Sequence, residues 1–233
     1  MDRPLASLAS PAPGVCAPAC ASGPPFRLQE LDEIGAALFN GLLPKQWAAK
    51  APQTQKKLAS WMIHYLRRQD QYADWVKNGE PKVMWLSGFH IPGTYLAALV
   101  QTTCRANGWP LDKSTLFTTC TTMATKQEVT SKPPEGCYTM GMYLEGAAWD
   151  WEGVCLRRQE AKQLVVEMPL IQVVPIEVAK LKLTNTLRTP VYVTQERRNA
   201  MGVGLVFEAD IPTKEHPSHW ILQGVSLCLN IDA

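Results

Sequence analysis

The chain has 233 residues, 46% hydrophobic and 19% charged, with a net charge of +2 from 23 Lys and Arg against 21 Asp and Glu. That is globular composition, with enough residues to bury a sizeable core in one domain or two small ones. The near balance of charge leaves no broad basic field for nucleic acid, and no apolar run reaches the roughly 18 residues that span a bilayer.

Residues 1–26 are rich in Ala, Pro, Ser and Gly and carry almost no charge, which reads as a disordered leader without core value. Pro4, Pro11, Pro13 and Pro18 interrupt any apolar region there, so it does not read as a signal peptide. From Phe26 the pattern changes. Leu28, Leu31, Ile34 and Leu38 fall at helical spacing, and Asn40-Gly41 supplies a stop. Pro44 suits the first turn of a short helix carrying Trp47. A longer helix is expected over residues 53–78. Its apolar positions Leu58, Trp61, Met62, Tyr65, Leu66, Tyr72, Trp75 and Val76 are expected to form a buried stripe, while Lys56, Lys57, Arg67, Arg68 and Asp70 face elsewhere. Residues 82–86 make a short strand, and Pro92 opens a helix of about 15 residues closed by Asn107-Gly108.

After Asp112 the period shifts towards two. Strands are expected at 115–121, 137–144, 163–168, 170–175, 191–193, 203–209 and 220–229. Turn signals separate them: Pro133-Pro134-Glu135-Gly136, Glu152-Gly153, Asn199 and Pro212. The chain reads as α+β: a leader at 1–26, an N-terminal helical subdomain at 27–112, and a small antiparallel β-barrel or sandwich at 113–233. Seven cysteines, Cys16, Cys20, Cys104, Cys120, Cys137, Cys155 and Cys228, form no disulfide-framework spacing. They are expected as buried thiols in a reducing compartment.

Little of the sequence carries catalytic chemistry. There is no Gly-x-x-x-x-Gly-Lys-Ser/Thr loop to cradle phosphates. Gly202-Val-Gly204 opens a strand where a dinucleotide fingerprint needs a strand-to-helix turn. His216 and His219 flank Pro217 in a turn, with no cysteine pair beside them, so a zinc site is not expected. Cys137 has no residue beside it to activate it as a nucleophile. Glu145 and Asp150, with Trp149 between them, could make an acid–base pair at the mouth of a stand-alone β-barrel hydrolase or ligand-binding protein. No catalytic, cofactor or metal residue is assigned. Lys180, Lys182, Arg188, Arg197 and Arg198 form the most basic stretch, with only Tyr192 among them for base stacking. They fit a surface that pairs with an acidic neighbour, or a solvated face. Trp149 and Trp151, flanking Asp150, fit core packing or a partner contact.

Several segments resemble the C-terminal region of dynein heavy chains. They are Val-Met-Trp-Leu-Ser-Gly-Phe-His-Ile-Pro (83–92), Tyr-Leu-Ala-Ala-Leu-Val-Gln (95–101) and Asn-Gly-Trp-Pro-Leu-Asp (107–112). Gly-Met-Tyr-Leu-Glu-Gly-Ala (141–147), Trp149-Asp150 and Arg-Thr-Pro-Val-Tyr (188–192) continue the series, which ends with His-Trp-Ile-Leu-Gln-Gly-Val (219–225). The run Arg-Arg-Asn-Ala-Met-Gly-Val-Gly-Leu-Val-Phe-Glu-Ala-Asp (197–210) looks axonemal, and is most similar to an inner-arm, I1-type heavy chain. The resemblance covers about Leu31 to the end. It implies a helical subdomain followed by a β-barrel, lying across one face of a six-module AAA+ ring in the same heavy chain. It also implies a non-catalytic part in ATP-driven, minus-end-directed movement along microtubules, in the axoneme of a cilium or flagellum. ATP hydrolysis, microtubule contact, and the intermediate and light chains would belong to the parent motor. Arg188, Arg197, Arg198, Trp149 and Trp151 are the candidates for contact with the ring. The leader at 1–26 departs from the family and reads as a shortened gene product or an alternative start. A missing first helix would expose Leu38 and Trp47.

Overall fold

The computed structural model describes residues 28–51, 54, 56–181, 183–199 and 202–231. The leader expected at 1–26, with Cys16 and Cys20, lies outside them, as does the expected start of the long helix at Gln53.

Helices form where apolar spacing placed them: α1 is Leu28–Phe39, α2 Lys45–Ala48 and α3 Leu58–Asn78. α1 ends as Asn40 Nδ2 donates to the carbonyl of Ala36 at 2.8 Å and Gly41 turns to a φ of 66°. Strand β1 follows at Val83–Trp85, then α4 at Pro92–Asn107, closed by Gly108 in the left-handed region. One stripe of α3 looks inward, with Trp61, His64, Arg68, Gln71 and Trp75 half-buried at steps of three and four. Gln71 runs along β1. The N–H of Trp85 donates to Gln71 Oε1 at 2.9 Å, and Gln71 Nε2 donates back to the Trp85 carbonyl at 3.2 Å. One amide group thus serves both backbone groups of Trp85, on an edge strand. Further along, Trp75 meets the edges of Phe89 and Tyr95, which stack on each other at 4.9 Å.

The other strands are β2 Ser114–Cys120, β3 Cys137–Met140, β4 Tyr143–Glu145, β5 Ala148–Asp150, β6 Cys155–Arg157 and β7 Val165–Glu167. They continue with β8 Ile171–Glu177, β9 Thr186–Thr194, β10 Arg198–Asn199, β11 Gly202–Val203, β12 Leu205–Pro212 and β13 Ser226–Asn230, with α5 at Pro217–Leu222 before the last. Two larger sheets run β1-β3-β8-β2 and β12-β9-β13-β4-β7, and two ribbons pair β5 with β6 and β10 with β11. One apolar core joins the larger sheets: Cys120, Cys137, Ile171 and Val173 from the first meet Leu144, Leu187, Val191, Ile211 and Leu227 from the second.

The class is α+β, as expected, but the β half differs in three ways. The sheets are sandwich-like and do not close into a barrel. Edge strands β2 and β12 are joined by side chains in place of a ladder. The N–H of Asp210 donates to Thr118 Oγ1 at 2.5 Å, and the N–H of Thr118 donates to Asp210 Oδ2 at 3.4 Å. Pairing is also not wholly antiparallel, since β1 runs parallel to β3 and β13 parallel to β9. Both parallel pairs have the long crossovers that such pairing needs, through α4 in one case and α5 in the other. Finally, the strand expected at 220–229 divides. Pro217 fits the first turn of α5, and His216 Nδ1 accepts from the N–H of Ser218, so the run through Trp220 is helical and β13 starts only at Ser226. The strand expected at 137–144 divides likewise, at Gly141, whose φ is 81°.

Candidate functional site

The residues singled out in the sequence do not share one surface. Trp149 is buried in the sheet core, and its carbonyl accepts from Arg157 Nε at 3.2 Å. Trp151, two residues on in the β5–β6 turn, is 46% exposed. Arg188 pairs across β9 and β12 with Glu208 at 2.7 Å. Arg197 Nη2 donates to Ser226 Oγ at 2.8 Å and to the Gly224 carbonyl at 3.3 Å, lies 3.6 Å from Glu145, and sits over the Tyr192 ring. These contacts tether the loop after β9 to β13. Arg198 is exposed on β10.

Glu145 and Asp150 are each engaged separately. Glu145 takes Arg197 and accepts from Gln195 Nε2 at 2.5 Å. Asp150 Oδ1 accepts from the N–H of Gly153 at 3.0 Å and of Glu152 at 3.2 Å, and Lys214 stands 3.6 Å from its other oxygen. The Gly153 hydrogen bond leads in holding the Asp150 carboxyl below the usual range. Asp150 therefore organises its own turn. The Cys137 thiol is pushed up to about 11 by burial, away from the reactive thiolate. Gly202 belongs to the β10–β11 ribbon, and His216 caps α5 while His219 lies 3.1 Å from Gln223 Nε2.

The helical face is different. The stripe expected to be buried on α3 is not: none of its 21 residues is fully buried, and Tyr65, Leu66, Tyr72 and Val76 are exposed, because the helix packs on the domain through the Trp61–Trp75 stripe only. Ile63 and Leu66 are exposed, Val76 is 90% exposed, and on α1 and its exit Leu31, Leu38 and Leu42 are exposed and Phe39 is 91% exposed. Leu38 was expected to be exposed, whereas Trp47 is half-buried because it stacks on Trp61.

Between α2 and the first half of α3 lies a cleft of about 390 Å³. Its wall is a column of rings, Trp47 on Trp61 at 6.1 Å and Trp61 on Tyr65 at 5.4 Å. Lys50, Lys56, His64, Arg68 and Asn230 also line it, and among the described residues no carboxylate does. Lys56 Nζ donates to the Ile231 carbonyl, and His64 Nε2 lies 3.1 Å from Asn230 Oδ1, so the helix is fixed to the end of β13. Burial, then the charges of Arg68 and Lys56, lower the His64 pKa to about 4, which leaves the ring neutral at pH 7. Arg68 has a buried Nε with no hydrogen-bond partner among the described residues. Sequence patterning puts Arg68 on an outward face, and the structure turns it inward. The one available signal was the step from Trp61 through His64 to Arg68, the same helical stripe as the aromatics.

Comparison with known proteins places these features in a family. The model of the C-terminal domain of dynein heavy chains matches residues 23–229. The chain is 60% identical over 202 residues to the dynein-1-alpha heavy chain of the flagellar inner arm I1 complex of Chlamydomonas reinhardtii, and 57% identical over 203 residues to dynein axonemal heavy chain 10 of Homo sapiens. Identity to human dynein axonemal heavy chain 1 is 32% over 208 residues. The first two alignments cover 87% of this chain and only 4% of the relatives, so the chain spans a small fraction of their length.

Proposed function

Because this chain belongs to the family of C-terminal domains of dynein heavy chains, and not to the ATPase modules, we propose that it acts as a non-catalytic docking module of an axonemal motor. It lies on the AAA+ ring of its own heavy chain and transmits the ring's conformational changes. Through that ring it supports ATP-driven, minus-end-directed movement on microtubules and the beating of a cilium or flagellum. Intermediate and light chains, like the microtubule itself, are met only by the assembled parent. Division into a helical part at 27–112 and a β part at 113–233 fits this role, one part presenting a face and the other supplying rigidity.

The observation that carries this reading is the apolar face of α1 and α3. A helix that keeps one stripe half-buried on its own domain and leaves Ile63, Leu66 and Val76 in water has apolar surface to offer a partner. Trp151 and Arg198 extend the candidate contact surface onto the β half. Arg188, Arg197 and Trp149 support it from behind, through Glu208, through Ser226 and through the β5–β6 ribbon.

The test is reconstitution. The purified chain is mixed with a heavy chain truncated before this domain, and association and ATP turnover are measured. Docking predicts a stable complex, altered turnover of the truncated motor, and no turnover by this chain alone. ATP hydrolysis by the pure chain, or failure to associate, contradicts the reading.

A further inference from the structure

The cleft under α3 combines three features. The first is a wall of stacked aromatic rings. The second is a set of cations, Lys50, Lys56 and Arg68, with no carboxylate among the described lining residues. The third is a guanidinium nitrogen, Arg68 Nε, enclosed without an acceptor among the described residues. An enclosed donor left unmade costs the full desolvation of that group, so native proteins satisfy nearly all of them. Arg67, its neighbour, is already engaged, 4.2 Å over the Trp85 ring. His64 beside them is held neutral first by burial and then by the charges of Arg68 and Lys56.

Resting on the docking reading above, we propose that this cleft receives an acidic peptide segment of the protein surface on which the domain docks. A carboxylate of that segment faces Arg68 and the lysines, and an adjacent aliphatic or aromatic side chain lies against Trp47, Trp61 and Tyr65. The shape favours a peptide over a nucleotide. Trp61 already stacks with both Trp47 and Tyr65, so these rings are engaged with one another and do not stand apart as a slot for a base. Among the described lining residues there is no glycine to let backbone N–H groups close on phosphates. Carboxylates, by contrast, match the planar fork of an arginine, and charge-assisted hydrogen bonds of that kind are the strong ones.

The test uses the whole chain and two synthetic probes, a short peptide alternating Glu with Leu and its Gln-for-Glu counterpart, titrated by calorimetry. The Glu peptide is expected to bind about tenfold more tightly or better, with an affinity that falls as salt rises. Arg68→Met keeps the aliphatic stem and should erase the difference between the peptides. Lys50→Met, at an exposed rim position, should reduce it, and stands in if the Arg68 variant does not fold. Arg105→Met on α4 should leave it unchanged. Equal binding of the two peptides overturns the proposal, as does unchanged discrimination in Arg68→Met. Displacement of the Glu peptide by inorganic phosphate or ATP at equal concentration also overturns it, in favour of a free-anion site. Association of wild type and Arg68→Met with the truncated heavy chain separates the two readings. If both associate equally, docking stands and the cleft does not. If neither associates while the Glu peptide still binds, the cleft stands and ring docking does not.

Discussion

The sheets and the helical layer of this molecule use similar apolar side chains in opposite ways. Between the two larger sheets, Leu144, Val173, Val191, Ile211 and Leu227 are completely enclosed. On α3, the aromatics touch the domain through one stripe, and Ile63, Leu66 and Val76 face away from it. The first arrangement is what a protein needs to stay folded. The second contributes little to folding and leaves apolar surface in water, a cost that association would recover. The difference teaches where stability and function lie apart. Substitutions in the sheets should test the fold, and substitutions on the helical face should test binding with the fold intact.

The contrast is broken most directly by a pair of truncations. Trp220 is enclosed, with Nε1 donating to Thr213 Oγ1 at 2.6 Å, so Trp220→Ala should cost about 3–5 kcal/mol in urea unfolding. Val76→Ala should cost under about 0.5 kcal/mol, because the side chain already lies in water. Similar losses at both sites would mean that the helical face is folded against something within the molecule.

Glycines give a second pair. Gly136 and Gly108 have φ of 71° and 68°, but an added Cβ would lie 2.0 Å from the Val173 carbonyl oxygen at Gly136 and meets open space at Gly108. Gly108→Ala should cost about 1 kcal/mol, from the left-handed conformation alone. Gly136→Ala should exceed about 2 kcal/mol, because strand β8 must move as well. Thermal unfolding of the two variants side by side measures the difference, and equal shifts would contradict it.

Acid should reveal the junction of the two regions. His64 has a folded pKa near 4, below its ordinary 6.5. The unfolded protein therefore takes a proton first as pH falls, and the stability of the neutral, buried ring is complete above pH 6.5 and is lost towards pH 4. With solvent screening of a half-buried group, the loss should be about 1 kcal/mol, and His64→Gln should flatten this part of the pH profile. An unchanged slope in the variant would show that His64 is not the titrating group. The smallest effect belongs to the exposed Lys132–Glu80 pair, 3.2 Å apart, where Lys132→Ala should change stability by less than about 0.5 kcal/mol.

How much of this could be read from residues alone depended on period and on partner. α1, α3 and α4 were legible because their apolar spacing is dense and Gly41, Gly79 and Gly108 mark their ends. The β half was legible as strands but not as sheets, since no local pattern says that β1 will cross over to pair with β3. Trp220 misled because an unbroken apolar run suits a strand as well as one helical turn, and Pro217 decides between them only once His216 is seen to cap the turn. At the candidate site, Trp149 and Trp151 look alike in sequence, yet the β5–β6 hairpin buries one and turns the other out. The inward turn of Arg68 is not legible in the sequence, because it depends on Trp61, Tyr65 and the end of β13, which the sequence does not bring together.

Amide hydrogen exchange on the isolated protein, and on the protein mixed with a heavy chain truncated before this domain, tests the central claim most directly. Docking through the helical layer predicts that α1 and α3 exchange readily in isolation and gain protection in the complex, while β8, β9 and β13 are protected in both. Equal protection of α3 in the two samples, or a gain confined to the β half around Trp151 and Arg198, would contradict it.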